Sequence, residues 1–289
     1  MVSTAVDEVS VTDLPVRRLG PGDLRACLML AIDRRWLPEE AKWRLLFDVG
    51  EVYGVDDPAG GLAGTVVLTR YGPDLAAVSM VLVATRHGRR GLGRRLMLHV
   101  IDRAAGATLF LTATPYGRPV YERVGFTTVG EVVSYTGHLT AAPADGVLEG
   151  LRPARAADLP GVVRLDTRTS GAPRERLMER LPRFASRTRV VERGGQVTGF
   201  GAVWRNVENH VLGPILADGT PAAIALIAEL SRGLHGPVRL DLDSRHTDLA
   251  AWASRRGLSP AFSTALMVHG GALPGDRHHL FAPVMVALG

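Results

Sequence analysis

The chain has one cysteine, Cys27, and one lysine, Lys42, among 289 residues. A lone cysteine excludes an intrachain disulfide. Cys27 falls in an apolar helical pattern, Leu24, Cys27, Leu28, Ala31, that suits a core position better than a nucleophile. Cys and His residues nowhere show metal-ligand spacing, and His278-His279 alone makes no metal site. No apolar run approaches the ~20 residues of a membrane-spanning helix. Residues 1–10 carry Asp7 and Glu8 but no basic start, unlike a secretory leader. The expectation is a soluble cytoplasmic protein with no metal and no membrane partner.

The apolar fraction of 46% fits a well-cored globular protein, and the length allows one large or two ordinary domains. A pI near 9.9 invites a nucleic-acid reading. The net charge is only +5, every basic residue except Lys42 is arginine, and no Lys/Arg tail exists. The arginine skew, with abundant Ala, Gly and Val, is that of a GC-rich genome. No nucleic-acid partner is expected, and part of the basicity is read as local, serving an anion.

That local site is legible in Val78–Leu96, VSMVLVATRHGRRGLGRRL. An apolar run suited to a buried strand ends at Ala84, and a basic loop, Thr85–Arg90, follows. Gly91-Leu92-Gly93 then opens a helix whose apolar residues Leu92, Leu96, Val100 and Ile101 lie about one turn apart. A helix start offers unpaired N–H groups and partial positive charge to an anion. Glycines let a diphosphate reach the backbone, and Arg86, Arg89, Arg90, Arg94 and Arg95 add charge. About thirty residues later stands Tyr121-Glu122-Arg123-Val124-Gly125-Phe126.

Together these stretches resemble the GNAT acyltransferases, which move an acyl group from acyl-CoA to an amine. The family loop reads Arg/Gln-x-x-Gly-x-Gly/Ala; Gly91-x-Gly93 matches its end, while Gly88 stands where Arg or Gln is usual. The Tyr-x-x-x-Gly-Phe element matches in full. The resemblance implies acetyl-CoA as co-substrate. Backbone groups of Val81, Leu82 and Val83 would meet its pantetheine as an added strand does. The N–H groups of Gly88, Arg89, Arg90, Gly91, Leu92 and Gly93 would meet its pyrophosphate. It implies Tyr121 as the acid that protonates the leaving thiolate. The plainer alternative is a Tyr121 packed under the sheet with its hydroxyl on a backbone carbonyl.

The chain also repeats itself. Val16-Arg17…Asp23-Leu24 returns as Leu151-Arg152…Asp158-Leu159, Gly64–Arg70 as Gly199–Arg205, and Arg123-Val124-Gly125-Phe126 as Arg255-Arg256-Gly257-Leu258, at offsets between 132 and 135. A shift of 130 sets Pro221 against Gly91 and Asp218 against Gly88, and 132 sets Ala253 against Tyr121, so the second copy lacks the chemistry. The expected fold class is α/β with a mixed sheet, as two tandem GNAT-like domains. Residues 1–139 form the CoA-binding, catalytic domain, 140–150 a linker and 151–289 the degenerate copy. The arrangement resembles bacterial tandem GNAT proteins.

The expected strands of the first half are Glu51–Val55, Leu62–Tyr71, Val78–Ala84, Thr108–Thr112 and Thr127–His138, with helices from Asp23, Pro38, Gly91 and Pro119. The acceptor is expected to be a small-molecule amine. Asp33, Glu39, Glu40 and Glu51 are candidate bases by position, each with a surface carboxylate as the alternative. Trp36 and Trp43 are candidate cleft walls, Trp43 having the spacing of a core residue. His210 is a further candidate if the halves meet there. The second half would shape the acceptor cleft or a homodimer interface. Another acyl donor, or a CoA-binding module without catalysis, are the competing readings.

Overall fold

The structure, a computed structural model, describes residues 11–140 and 148–289. The leader reading at residues 1–10 and the turn-rich stretch 141–147 lie outside the described residues. The first half runs β1 (Arg17–Arg18), α1 (Leu24–Asp33), α2 (Glu40–Val49), β2 (Glu51–Asp56), β3 (Leu62–Tyr71), β4 (Leu75–Val83), α3 (Leu92–Arg103), β5 (Thr108–Ala113), α4 (Arg118–Glu122) and β6 (Thr127–Gly137). The second half repeats the order as β7 (Leu151–Pro153), α5 (Leu159–Ser170), α6 (Glu175–Phe184), β8 (Arg187–Arg193), β9 (Gln196–Arg205), β10 (His210–Ala217), α7 (Thr220–Ser231), β11 (Val238–Asp243), α8 (Thr247–Arg255), β12 (Leu258–His269) and a short extra strand, β13 (Leu280–Ala282).

All strands join one mixed sheet, ordered β1-β2-β3-β4-β5-β12-β6-β11-β10-β9-β8-β7, with β13 added to β10. The two halves exchange their last strands at its centre. β12 lies antiparallel between β5 and β6, pairing Ala265–His269 with Ala113–Leu109. β6 in turn lies between β12 and β11, pairing Val132–Gly137 with Asp243–Val238. The two copies of the repeat therefore share a single sheet.

The central strands are buried on both faces, which is why β3 and β4 read as continuous apolar runs rather than as alternating ones. One hydrophobic cluster spans both halves beneath α1, α2, α5 and α6, from Cys27 and Trp43 to Leu181 and Trp204. The opposite face carries two separate clusters, one under α3 and α4 and one under α7 and α8. Cys27 and Trp43 are thus core residues. Lys42, the sole lysine, is buried against Glu39, and Glu39 accepts a hydrogen bond from Asn206 Nδ2 at 2.8 Å, tying α2 to the second half.

The repeated Arg…Asp signature is a clamp. Asp23 pairs with Arg17 at 2.8 Å and accepts the Gly20 N–H; Asp158 pairs with Arg152 at 2.7 Å and accepts the Arg155 N–H. Each aspartate fastens the first strand of its half to the start of the following helix. Hydrogen bonds from Arg152 chiefly hold the Asp158 carboxyl down at about 2. A second buried pair lies within the second half: Arg174 Nε is 3.0 Å from Asp166 Oδ2, Arg174 also donates to the Gly289 carbonyl at 2.8 Å, and its guanidinium lies over the ring of Tyr71 in the first half, 5.5 Å from the centroid.

Two outcomes follow. Asp166→Ala strands a guanidinium in the core and should cost about 3–5 kcal/mol in urea denaturation; adding Arg174→Met should recover part of the loss. Residues 1–140 alone lack the strand that separates β5 from β6, leaving apolar edges open. That fragment should be insoluble or unfolded by circular dichroism, and should copurify with residues 141–289 when the two are co-expressed. A soluble, folded 1–140 would show that the exchange is dispensable.

Candidate active site

β4 and β5 run parallel and pair only at Leu75–Ala77 with Thr108–Phe110. Beyond that they diverge. Met80 causes the departure: it has a φ of 48°, in the left-handed region that non-glycine residues seldom adopt, and the β3–β4 register slips there. The Thr65 hydroxyl holds the bulge by donating to the Met80 carbonyl at 2.9 Å. Ala84 donates to the Ala63 carbonyl at 2.8 Å, so in the alternating antiparallel ladder Leu82 is the next bonded position. Val81 and Val83 therefore turn their N–H and C=O groups into the opening. Leu82 gives its backbone to Thr65 and its side chain to the core, which corrects its assignment as a backbone ligand.

The loop after β4 ends in Gly91, the residue before α3, with a φ of 87°. Nothing lies within 4 Å of where its Cβ would be, so glycine is needed there for conformation rather than for space. Leu92, Gly93 and Arg94 occupy the first turn, whose N–H groups have no carbonyl in their own helix. Gly88 differs from expectation: its N–H is bonded to the Thr85 carbonyl at 3.2 Å. Arg86 is likewise committed, its Nε donating to Asp57 at 2.7 Å, and His87 Nε2 shares that carboxylate at 2.7 Å. Burial raises the Asp57 carboxyl, but the Ala59 N–H, Arg86 and His87 outweigh it and leave it below the usual range. Among the described residues, Arg89, Arg90 and Arg94 are exposed and have no carboxylate partner, so they carry the net positive potential of the loop.

Tyr121, on α4, is 9% exposed and packs beside Phe126 in the core under α3. Its hydroxyl makes no hydrogen bond among the described residues, so the alternative of a phenol resting on a backbone carbonyl does not hold. Burial pushes the phenol up to about 12, which keeps it protonated at neutral pH. Gly117 admits the ring: a Cβ there would sit 3.2 Å from it.

The candidate bases are all engaged. Asp33 Oδ2 accepts the Thr85 N–H at 2.6 Å, fastening α1 to the loop. Glu40 pairs with Arg44, and Glu39 with Lys42 and Asn206. Glu51 accepts from Arg18, Arg70 and Tyr53. Burial raises the Glu51 carboxyl, yet these partners draw it below its ordinary value, so it is a poor base. Trp36 is 40% exposed just past α1. His210 begins β10, its Nε2 3.2 Å from both Arg205 Nη1 and the His235 carbonyl. His279 Nδ1 is bonded to Asp276.

The second half builds the same opening and fills it. β10 and β11 pair in parallel only at His210–Val211 with Val238–Arg239. β13 then pairs with β10 at Ile215 and Leu216, occupying the position left open beside Val81 and Val83 in the first half. His246 Nε2 meets the Leu280 carbonyl at 2.8 Å, Trp204 Nε1 donates to Val284 and the Thr112 hydroxyl to Val286, so the segment is fastened to both halves. The helix starts align Gly91 with Gly219, an offset of 128 (219 − 91), which sets Pro221 at the place of Gly93 rather than of Gly91. Either way the first turn of α7 lacks an N–H. Asp218 is paired with Arg168, and Ala253 is buried where Tyr121 stands in the first half.

The acetyltransferase (GNAT) domain family matches residues 54–141, and a second acetyltransferase (GNAT) domain family matches residues 162–282. The chain is 29% identical over 253 residues to YitH of Bacillus subtilis, described as an uncharacterised N-acetyltransferase, covering 86% of this chain and 89% of that one. A candidate acetyltransferase from Pyrococcus horikoshii shares the fold with a TM-score of 0.80 at 19% identity, over 95% of each chain. A tandem GNAT protein of the clavulanic acid biosynthesis pathway aligns with a TM-score of 0.63 at 16% identity, over 89% of this chain and 99% of its own. With both halves matched and joined in one sheet, the chain belongs to the GNAT acetyltransferases, as two GNAT domains in tandem.

Proposed function

We propose that the first half transfers an acetyl group from acetyl-CoA to the amine of a small-molecule acceptor, directly, in a ternary complex. The observation that carries this reading is the contrast between the two openings: one is unfilled among the described residues and is faced by the backbone of Val81 and Val83 and by the start of α3, and the other is filled by β13. Arg89, Arg90 and Arg94 and the N–H groups of the first turn of α3 suit a diphosphate. The thioester then lies between β4 and β5. Because α3 lies on one face of the sheet and α1 on the other, the acceptor approaches from the α1 face.

In the reaction the free amine attacks the thioester carbonyl, a carbon–nitrogen bond forms and the carbon–sulfur bond breaks. A thiol has a pKa of about 8.5, well below the protonated Tyr121 phenol, yet a hydrogen bond from that phenol stabilises the developing thiolate and can deliver its proton as the sulfur leaves. The proton shed by the nitrogen returns to the phenolate through water. With the nearby carboxylates committed to partners, the amine is deprotonated by solvent rather than by a dedicated side chain.

Calorimetric titration should give one acetyl-CoA per chain. Gly91→Ala keeps the space but strains a φ of 87°, and should weaken binding by about 5- to 30-fold, from a left-handed cost of about 1–2 kcal/mol. Gly91→Pro should abolish binding. Two molecules per chain would show that β13 does not close the second opening.

Tyr121→Phe should lower kcat about 10²-fold or more with little change in acetyl-CoA affinity. Since the phenol titrates near 12, kcat should show no alkaline decline up to about pH 10. kcat/KM should rise with pH toward the acceptor amine's own pKa, about 10.4 for an alkylamine. Free-thiol release across an amine panel measures both; an unchanged kcat in the variant would make Tyr121 a packing residue.

A further inference from the structure

Among the described residues, the opening between β4 and β5 is spanned at its outer end by a single polar contact. On the β4 side, the end of α1 is fixed to the following loop: Asp33 accepts the Thr85 N–H, the Thr85 hydroxyl donates to the Asp33 carbonyl at 3.2 Å, and Arg34 Nη1 donates to the Thr85 hydroxyl oxygen at 3.1 Å. On the β5 side stands Tyr116, in the connection from β5 to α4. The Arg34 guanidinium lies over its ring, 5.4 Å from the centroid. Among the described residues, no hydrogen bond or ion pair joins 78–90 to 111–122, so this stacking is the one polar tie between the two lips.

The tie has the marks of a working contact rather than a structural one. Tyr116 is 74% exposed and, among the described residues, makes no other ring contact or hydrogen bond, so it contributes little to the core. Among the described residues Arg34 has no carboxylate partner, and its remaining N–H groups are open to a ligand. Arg34, at the end of α1, is bonded to Thr85 just beyond β4, and Tyr116 lies just beyond β5, so the two meet where an acyl donor held by Val81, Val83 and the α3 start would pass.

We infer that Arg34 and Tyr116 are positioning residues that clasp the acyl donor, stacking across the mouth of the opening and slowing its release. The inference rests on the reading of that opening as the acyl-CoA site. A guanidinium over an exposed ring contributes about 0.5–1 kcal/mol, which corresponds to a roughly 2- to 5-fold change in a dissociation rate.

The test is CoA release from the full-length protein, followed by stopped-flow displacement with excess acetyl-CoA. Tyr116→Ala and Arg34→Met should each speed release about 2- to 5-fold, and the double variant no more than the faster single one. Tyr116→Phe keeps the ring and should release at the wild-type rate. Unchanged release in both single variants, a double effect equal to the product of the singles, or a Tyr116→Phe as fast as Tyr116→Ala would each overturn the clasp. A wild-type protein that holds no CoA would instead overturn the reading of the site.

Discussion

The exchange of β6 and β12 at the centre of the sheet is the constraint on which the rest depends. Each half completes its sheet with a strand of the other, so the backbone bonds of both are satisfied only together. One core runs beneath both halves on the α1 and α5 face, and Glu39–Asn206 and the Tyr71 hydroxyl, which donates to the Leu288 carbonyl, tie them on that face. The second copy thereby supplies part of the scaffold of the first.

The two openings show how one architecture reaches two ends. Parallel strands that part after a few residues leave a row of backbone groups without partners, a state favourable only when something pairs with them. In the second half the chain supplies β13. In the first half no segment does so among the described residues, and glycine, a free helix start and unpaired arginines stand beside the gap. Tyr121 stands beside the same helix, its phenol kept protonated by burial and without a hydrogen-bond partner among the described residues.

Much of this was legible beforehand. The apolar runs of β3 and β4, the helical spacing of Leu92, Leu96 and Val100, and the paired motifs at Gly91 and Tyr121 placed the elements within a few residues of where they lie. Local rules sufficed because hydrophobic period and glycine conformation act over short distances. The carboxylates were the weak point: Asp33, Glu39, Glu40 and Glu51 were plausible bases by position, and each proved to be held by a partner that folding supplied. Leu82 and Gly88 lie in the expected stretch, but their backbone groups are taken up by Thr65 and Thr85.

By itself the sequence determined the mixed α/β class, the internal repeat, the glycine-led start of α3 and the proline in the first turn of the matching helix α7, since these reside in residue types at short spacing. Only the tertiary structure decided the strand exchange, the bulge at Met80, the insertion of β13 and the contact of Arg34 with Tyr116. Each of these joins groups far apart in the chain, or depends on strand register, which no local pattern specifies.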